Sequence, residues 1–247
     1  MTDTVLFVHG LQHSFCHMEA LAKKALPRHR VIVVDLLGYG RNSDAPPAAL
    51  TVSDNADYLA DVLPTDRTAH VIAHSMGGAV AVLCAQRHPR RVASLINVEG
   101  NFTLKDAVFS KALAEMDLVD IRSMIEQDIK NPAGWLRRLE IEITPQRLEA
   151  ATRILRMQSA ETLKNTAQSL IETTARPDYL EAVRAVLDAG VPMHLVAGER
   201  SRTNWDVPEF VSLQSASLTV QPHAGHMMMV EDPHGFLEVV CRIVDRG

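Results

Sequence analysis

The sequence predicts an α/β protein: a mostly parallel sheet of about six strands, helices on both faces, and one inserted all-helical block. Three observations predict it. Short β-branched runs alternate with helical patterns, several of those runs are almost continuously apolar, and the stretch from Thr103 to Arg176 has helical periodicity without a strand pattern.

In chain order the strand runs are Val5–Val8, Val31–Asp35, His70–Ala73, Ser94–Val98, Met193–Ala197 and Leu218–Gln221. Helical patterns fall at Val52–Leu63, Gly77–Gln86, Tyr179–Leu187 and Phe236–Val244, with Pro89 and Gly190 as stop signals after the second and third. In the inserted block, Ile121, Met124, Ile125 and Ile129 share one helical face, and Leu163, Ala167, Leu170 and Ile171 share another. Pro132 and Pro145 punctuate it, so several helices joined by short turns are expected. The predicted division is a core of residues 1–102 and 177–247, with 103–176 as a helical lid over one end of the sheet.

Composition excludes several classes. The chain has 247 residues, 47% hydrophobic, with a formal net charge of −5. That balance offers no basic footprint for nucleic acid. No apolar run reaches the ~20 residues of a membrane span. The start lacks the basic region of a secretory signal. Three widely spaced cysteines, Cys16, Cys84 and Cys241, argue for a reducing compartment over a disulfide framework. A soluble cytoplasmic domain of mixed class is the expectation; oligomeric state is not legible.

The chemistry concentrates around Val71-Ile72-Ala73-His74-Ser75-Met76-Gly77-Gly78. A strand runs directly into a serine, two glycines and a helix. Such a turn presents the Ser75 hydroxyl at the carboxyl end of the sheet and at a helix N-terminus, where free amides favour developing negative charge. Ala73 replaces the first glycine of G-x-S-x-G and is small enough to serve. A serine before a helix is otherwise an ordinary N-cap, and the strand–turn–helix context favours the nucleophile.

With this elbow, three further segments resemble the α/β-hydrolase superfamily. Val5-Leu6-Phe7-Val8-His9-Gly10 resembles its strand and oxyanion loop. Asp35-Leu36-Leu37-Gly38-Tyr39-Gly40-Arg41-Asn42-Ser43 resembles its Asp-x-x-Gly-x-Gly-x-Ser loop, and Ala224-Gly225-His226 with Glu231-Asp232-Pro233 its histidine loop. The four motifs stand in the family's order and cover nearly the whole chain. The resemblance implies a sheet lacking the family's first two strands.

Serine needs a base, and His226, after the last strand and a glycine-containing loop, suits that role. His9 is read as a loop brace, His74 as packing, and His223 as a neighbour of the base. The four-residue spacing of His9, His13 and His17 invites a metal reading, but Gly10 breaks the helix it needs; no metal and no cofactor are expected. The family's usual acid position falls on Ser201, in Gly198-Glu199-Arg200-Ser201. Glu99, at the end of the strand Ser94–Val98, is the natural substitute, since some branches, such as certain haloalkane dehalogenases, carry a glutamate there. Glu199 is the alternative acid. The resemblance assigns the oxyanion hole to the amides of Leu11 and Met76.

Gln12, His13, Ser14 and Phe15 are expected to wall the cleft, with Met116, Met124, Trp135, Leu136 and Met157 from the lid and Met227 and Met228 beside the base. The lid's eleven lysines and arginines balance eleven aspartates and glutamates, so a strongly anionic substrate has no support, while a single arginine clamp stays open. The leading expectation is a cofactor-independent serine hydrolase acting on an ester or related acyl compound through an acyl-enzyme. A lyase of the hydroxynitrile-lyase kind or an acyltransferase could use the same residues. A silent small-molecule-binding protein is the third reading.

Overall fold

The apolar runs form six strands: β1 (Thr4–Val8), β2 (Arg30–Val34), β3 (Ala69–His74), β4 (Val92–Val98), β5 (Met193–Gly198) and β6 (Ser217–Gln221). They make one sheet in the order β2-β1-β3-β4-β5-β6, with every neighbouring pair parallel. The computed structural model describes residues 3–46 and 50–245.

Strand alternation divides the core into two layers. On β1, Leu6 and Val8 face one layer while Val5 and Phe7 face the other. The first layer is closed by α2 (Val52–Val62), α3 (Met76–Arg87) and α9 (Pro177–Asp188). The second is closed by α1 (Glu19–Ala25) and α12 (Pro233–Val244), together with α11 (Met228–Glu231). Each large apolar side chain removed from water in these layers contributes about 1.5–3 kcal/mol.

Between β4 and β5 the described residues form helices and no strand: α4 (Val108–Glu115), α5 (Leu118–Lys130), α6 (Pro132–Arg138), α7 (Pro145–Ile154) and α8 (Ala160–Ala175), followed by α9. Pro132, Pro145 and Pro177 each open a helix, where a missing N–H costs nothing. Asn131, Thr144 and Ser159 cap α6, α7 and α8 through their side chains. The short helices α1, α10 (Glu209–Gln214) and α11 escape periodicity, because four to seven residues cannot repeat an apolar stripe. Among the described residues no helix is long and apolar enough to cross a membrane.

The register sets up the chemistry. Val8 lies beside Ala73, His74 beside Val98, and Val98 beside Val196. The loops leaving β1, β3, β4 and β5 therefore emerge side by side at the carboxyl edge of the sheet.

Candidate active site

Ser75 follows β3 and precedes α3, with φ 54° and ψ −126°. An L-residue holds that conformation only where its surroundings over-determine it. Its amide donates to Val98 O at 3.1 Å, and its carbonyl accepts from Gly78 at 2.8 Å and from Asn101 at 3.3 Å. Two close approaches complete the turn. A Cβ on Gly10 would meet Ser75 Cβ at 2.7 Å, and one on Gly78 would meet Gly100 Cα at 2.6 Å. The loop after β1 and the loop after β4 thus both press against the elbow, and side chains at these glycines would force them away.

Glu99, immediately after β4, also lies at positive φ, 42°. Its Oε2 accepts from His226 Nδ1 at 2.7 Å. Its Oε1 accepts from the Gly198 amide at 2.8 Å and from the Ser201 hydroxyl at 2.5 Å. Burial pushes this carboxyl upward, but the His226 hydrogen bond and charge, with the Ser201 and Gly198 hydrogen bonds, outweigh it and hold Glu99 below the ordinary glutamate value. The serine standing at the usual acid position therefore donates to the carboxylate on the neighbouring strand. Sequence reasoning assigned Ser201 no role, although its replacement of an acid was the available signal.

Glu199 points elsewhere. Its Oε2 accepts from the backbone amide of His223 at 2.7 Å and lies 3.6 Å from that exposed ring. His9 braces the loop as expected, donating from Nδ1 to Gly10 O and accepting at Nε2 from Leu36 N. His74 is buried and also borders the cavity; its Nε2 donates to His226 O at 3.0 Å, with ring centroids 4.5 Å apart. Burial, then the charge on His226, pushes His74 well below the ordinary histidine value, so it remains neutral beside His226.

His226 and Ser75 border one cavity of about 600 Å³, without a mutual hydrogen bond among the described residues. Such contacts commonly tighten when substrate binds. The Met76 amide, at the first position of α3, is one that no helical carbonyl can reach. The Leu11 amide, next to Gly10, has no acceptor among the described residues.

Gln12, Trp135 and Met227 line the cavity. His13 and Phe15 do not, which corrects their expected place on its wall. Gln12 adopts φ 46° and turns the chain inward, so the residues beyond it enter the core. His13 is fully buried against Phe15, His17 and His74, and Phe15 packs between Phe7 and Phe236. Leu136 and Met228 are likewise buried, and Met116 and Met124 pack against the first core layer. The cavity's apolar wall comes instead from Val108, Phe109, Leu139 and Trp205, with Trp135 and Met227. Phe109 is 43% and Val108 73% exposed at its mouth.

A model described as the alpha/beta hydrolase family matches residues 5–239. A protein of Caulobacter sp. (strain K31) named as a putative carbamate hydrolase RutD is 27% identical, over 98% of this chain and 90% of its own length. Two solved structures share the fold. One is a carboxylesterase of the thaumarchaeon Nitrososphaera gargenis, with TM-score 0.78 and 16% identity, over 99% of this chain and 90% of that one. The other is a thermophilic esterase from Thermogutta terrifontis, with TM-score 0.74 and 22% identity, over 100% and 90%.

Proposed function

The chain belongs to the alpha/beta hydrolase family, and from that premise we propose that it is a cofactor-independent serine hydrolase of an ester or related acyl compound. The observation that carries this reading is the 2.7 Å contact between His226 Nδ1 and Glu99 Oε2 beside the strained Ser75 elbow. A carboxylate on Nδ1 fixes the imidazole with Nε2 available to the serine and stabilises the imidazolium.

Ser75 Oγ attacks the substrate carbonyl while His226 Nε2 takes its proton. The Leu11 and Met76 amides receive the negative charge of the tetrahedral intermediate; one such donor is worth about 3 kcal/mol. His226 returns the proton to the leaving group, and the acyl group remains on Ser75. Water, deprotonated by His226, then releases the acid. Glu99 stays ionised throughout, as its lowered pKa favours. Trp135, Phe109, Leu139 and Met227 supply an apolar wall for a partly hydrophobic substrate. The similarity to the protein named as a putative carbamate hydrolase extends the candidate substrates from esters to carbamates. Helices α4 to α8 act as the lid over this cavity, with α4 at its mouth.

Incubation with a fluorophosphonate probe, followed by hydrolysis of short-chain p-nitrophenyl esters, tests the reading. Labelling confined to Ser75 with ester turnover supports it. An unlabelled Ser75 and no turnover overturn it. Cyanide release from a cyanohydrin, or acyl transfer to an added alcohol in preference to water, would replace hydrolysis with the lyase or transferase reading.

A further inference from the structure

Asp128, on α5, is only 2% exposed and lies outside the proposed triad. A carboxylate is seldom buried so fully unless its oxygens are engaged. Both are engaged here. Oδ1 accepts from Arg138 Nη2 on α6, and Oδ2 accepts from Gln12 Nε2 at 3.1 Å. Gln12 Oε1 in turn accepts from the indole N–H of Trp135 at 3.3 Å.

This relay leaves the Gln12 side chain a single orientation. An ionised carboxylate only accepts and an indole only donates, so the amide must turn its NH₂ to Asp128 and its oxygen to Trp135. The constraint falls on a residue in the left-handed region, φ 46°, directly after Leu11. Glycine takes that conformation freely; glutamine keeps it where neighbouring contacts over-determine it. Gln12 and Trp135 also line the cavity that holds Ser75.

We infer that Asp128 is a positioning residue: through Gln12 it holds the turn that aims the Leu11 amide at the oxyanion formed on Ser75. The inference rests on the serine-hydrolase reading. It also makes the contact between helices α5 and α6 and the loop after β1 part of the catalytic geometry rather than only of the cavity roof.

The test is a double-mutant cycle between Asp128→Ala and Gln12→Gly, measured by ester kinetics and by the rate of fluorophosphonate labelling. Asp128→Ala is expected to lower kcat by about tenfold to a hundredfold, the effect of a misplaced oxyanion donor, with KM nearly unchanged. Labelling should slow in the same proportion, since phosphonylation places charge on the same amides. Glycine needs no clamp to hold the turn, so in the Gln12→Gly background Asp128→Ala should lower kcat little further. A purely structural tie would lower thermal stability and leave kcat within about twofold, or the two losses would multiply; either result overturns the assignment. Should Asp128→Ala fail to fold, Asp128→Asn, which keeps the shape and loses the charge, is read by the same criteria. Wild-type protein that does not label at Ser75 overturns both the hydrolase reading and this one, whereas labelled wild type with an unaffected Asp128→Ala overturns only this one.

Discussion

The sheet edge and the helical segment above it reach the same cavity by different means. At the edge, Ser75 and Glu99 each stand one residue past a strand, at φ 54° and 42°, and His226 sits on the loop after β6. Parallel pairing lines up the strand ends, so positions in the chain become positions in space. In the helical segment, Trp135, Leu139, Val108 and Phe109 reach the cavity from α4, α6 and the end of α6, elements placed by packing rather than by pairing. A strand end therefore localises chemistry to a residue, while a helix localises it only to a face.

That contrast orders the expected effects. Ser75→Ala at the sheet edge should lower kcat by about 10⁵–10⁶-fold, measured with p-nitrophenyl butyrate, while leaving thermal unfolding nearly unchanged. A comparable loss from any single cavity-lining substitution in the helical segment would break the comparison. Phe15→Ala, next, should destabilise the fold by about 3–5 kcal/mol in denaturant unfolding, because it empties a core site between Phe7 and Phe236. At a denaturant-free temperature where it stays folded, its KM should match wild type, since Phe15 is not on the cavity wall.

Ser201→Ala should lower kcat by about tenfold, the worth of one hydrogen bond to a charged group. It also has a pH consequence. The folded Glu99 carboxyl is held below its unfolded value, so its contribution to stability is full above the unfolded glutamate pKa and is lost as pH falls through the folded one. Removing the Ser201 donor raises the folded pKa toward the unfolded one. The contribution shrinks, and the remaining loss on acidification still begins near the unfolded glutamate pKa but is complete at a higher pH, measurable as a shift in the acid limb of Tm against pH. Phe109→Ala should have the smallest effect, raising KM for longer acyl chains by about threefold to tenfold with little change in kcat or Tm, as loss of part of an exposed apolar wall implies. A larger effect on kcat than on KM would make α4 part of the catalytic geometry, as α5 is proposed to be.

Much of the fold was legible because each of the six strands is a short apolar run bounded by turn signals, and because Pro132 and Pro145 mark helix starts. The positions of Ser75, Glu99 and His226 were legible for the same reason, each following a strand in an order that a parallel sheet converts into proximity. His13 and Phe15 were misplaced because one left-handed residue, Gln12, sends the chain into the core, and no pattern in Gln12-His13-Ser14 announces it. The Gln12–Asp128 contact was beyond sequence reasoning because it joins a loop after β1 to α5 through tertiary packing alone. Ser201 lay between these cases: its place was noticed, but its partner is set by the β4–β5 pairing.

The central claim is that the acid has moved to the end of β4, and paired glutamine variants test it most directly. With wild-type ester turnover in hand, Glu99→Gln is expected to lower kcat by about 10²–10⁴-fold, because a neutral amide no longer stabilises the His226 imidazolium. Glu199→Gln, whose carboxylate pairs with the exposed His223, should stay within about twofold of wild type, as surface ion pairs contribute little. A Glu99→Gln enzyme with near-wild-type kcat beside a collapsed Glu199→Gln enzyme would contradict the account.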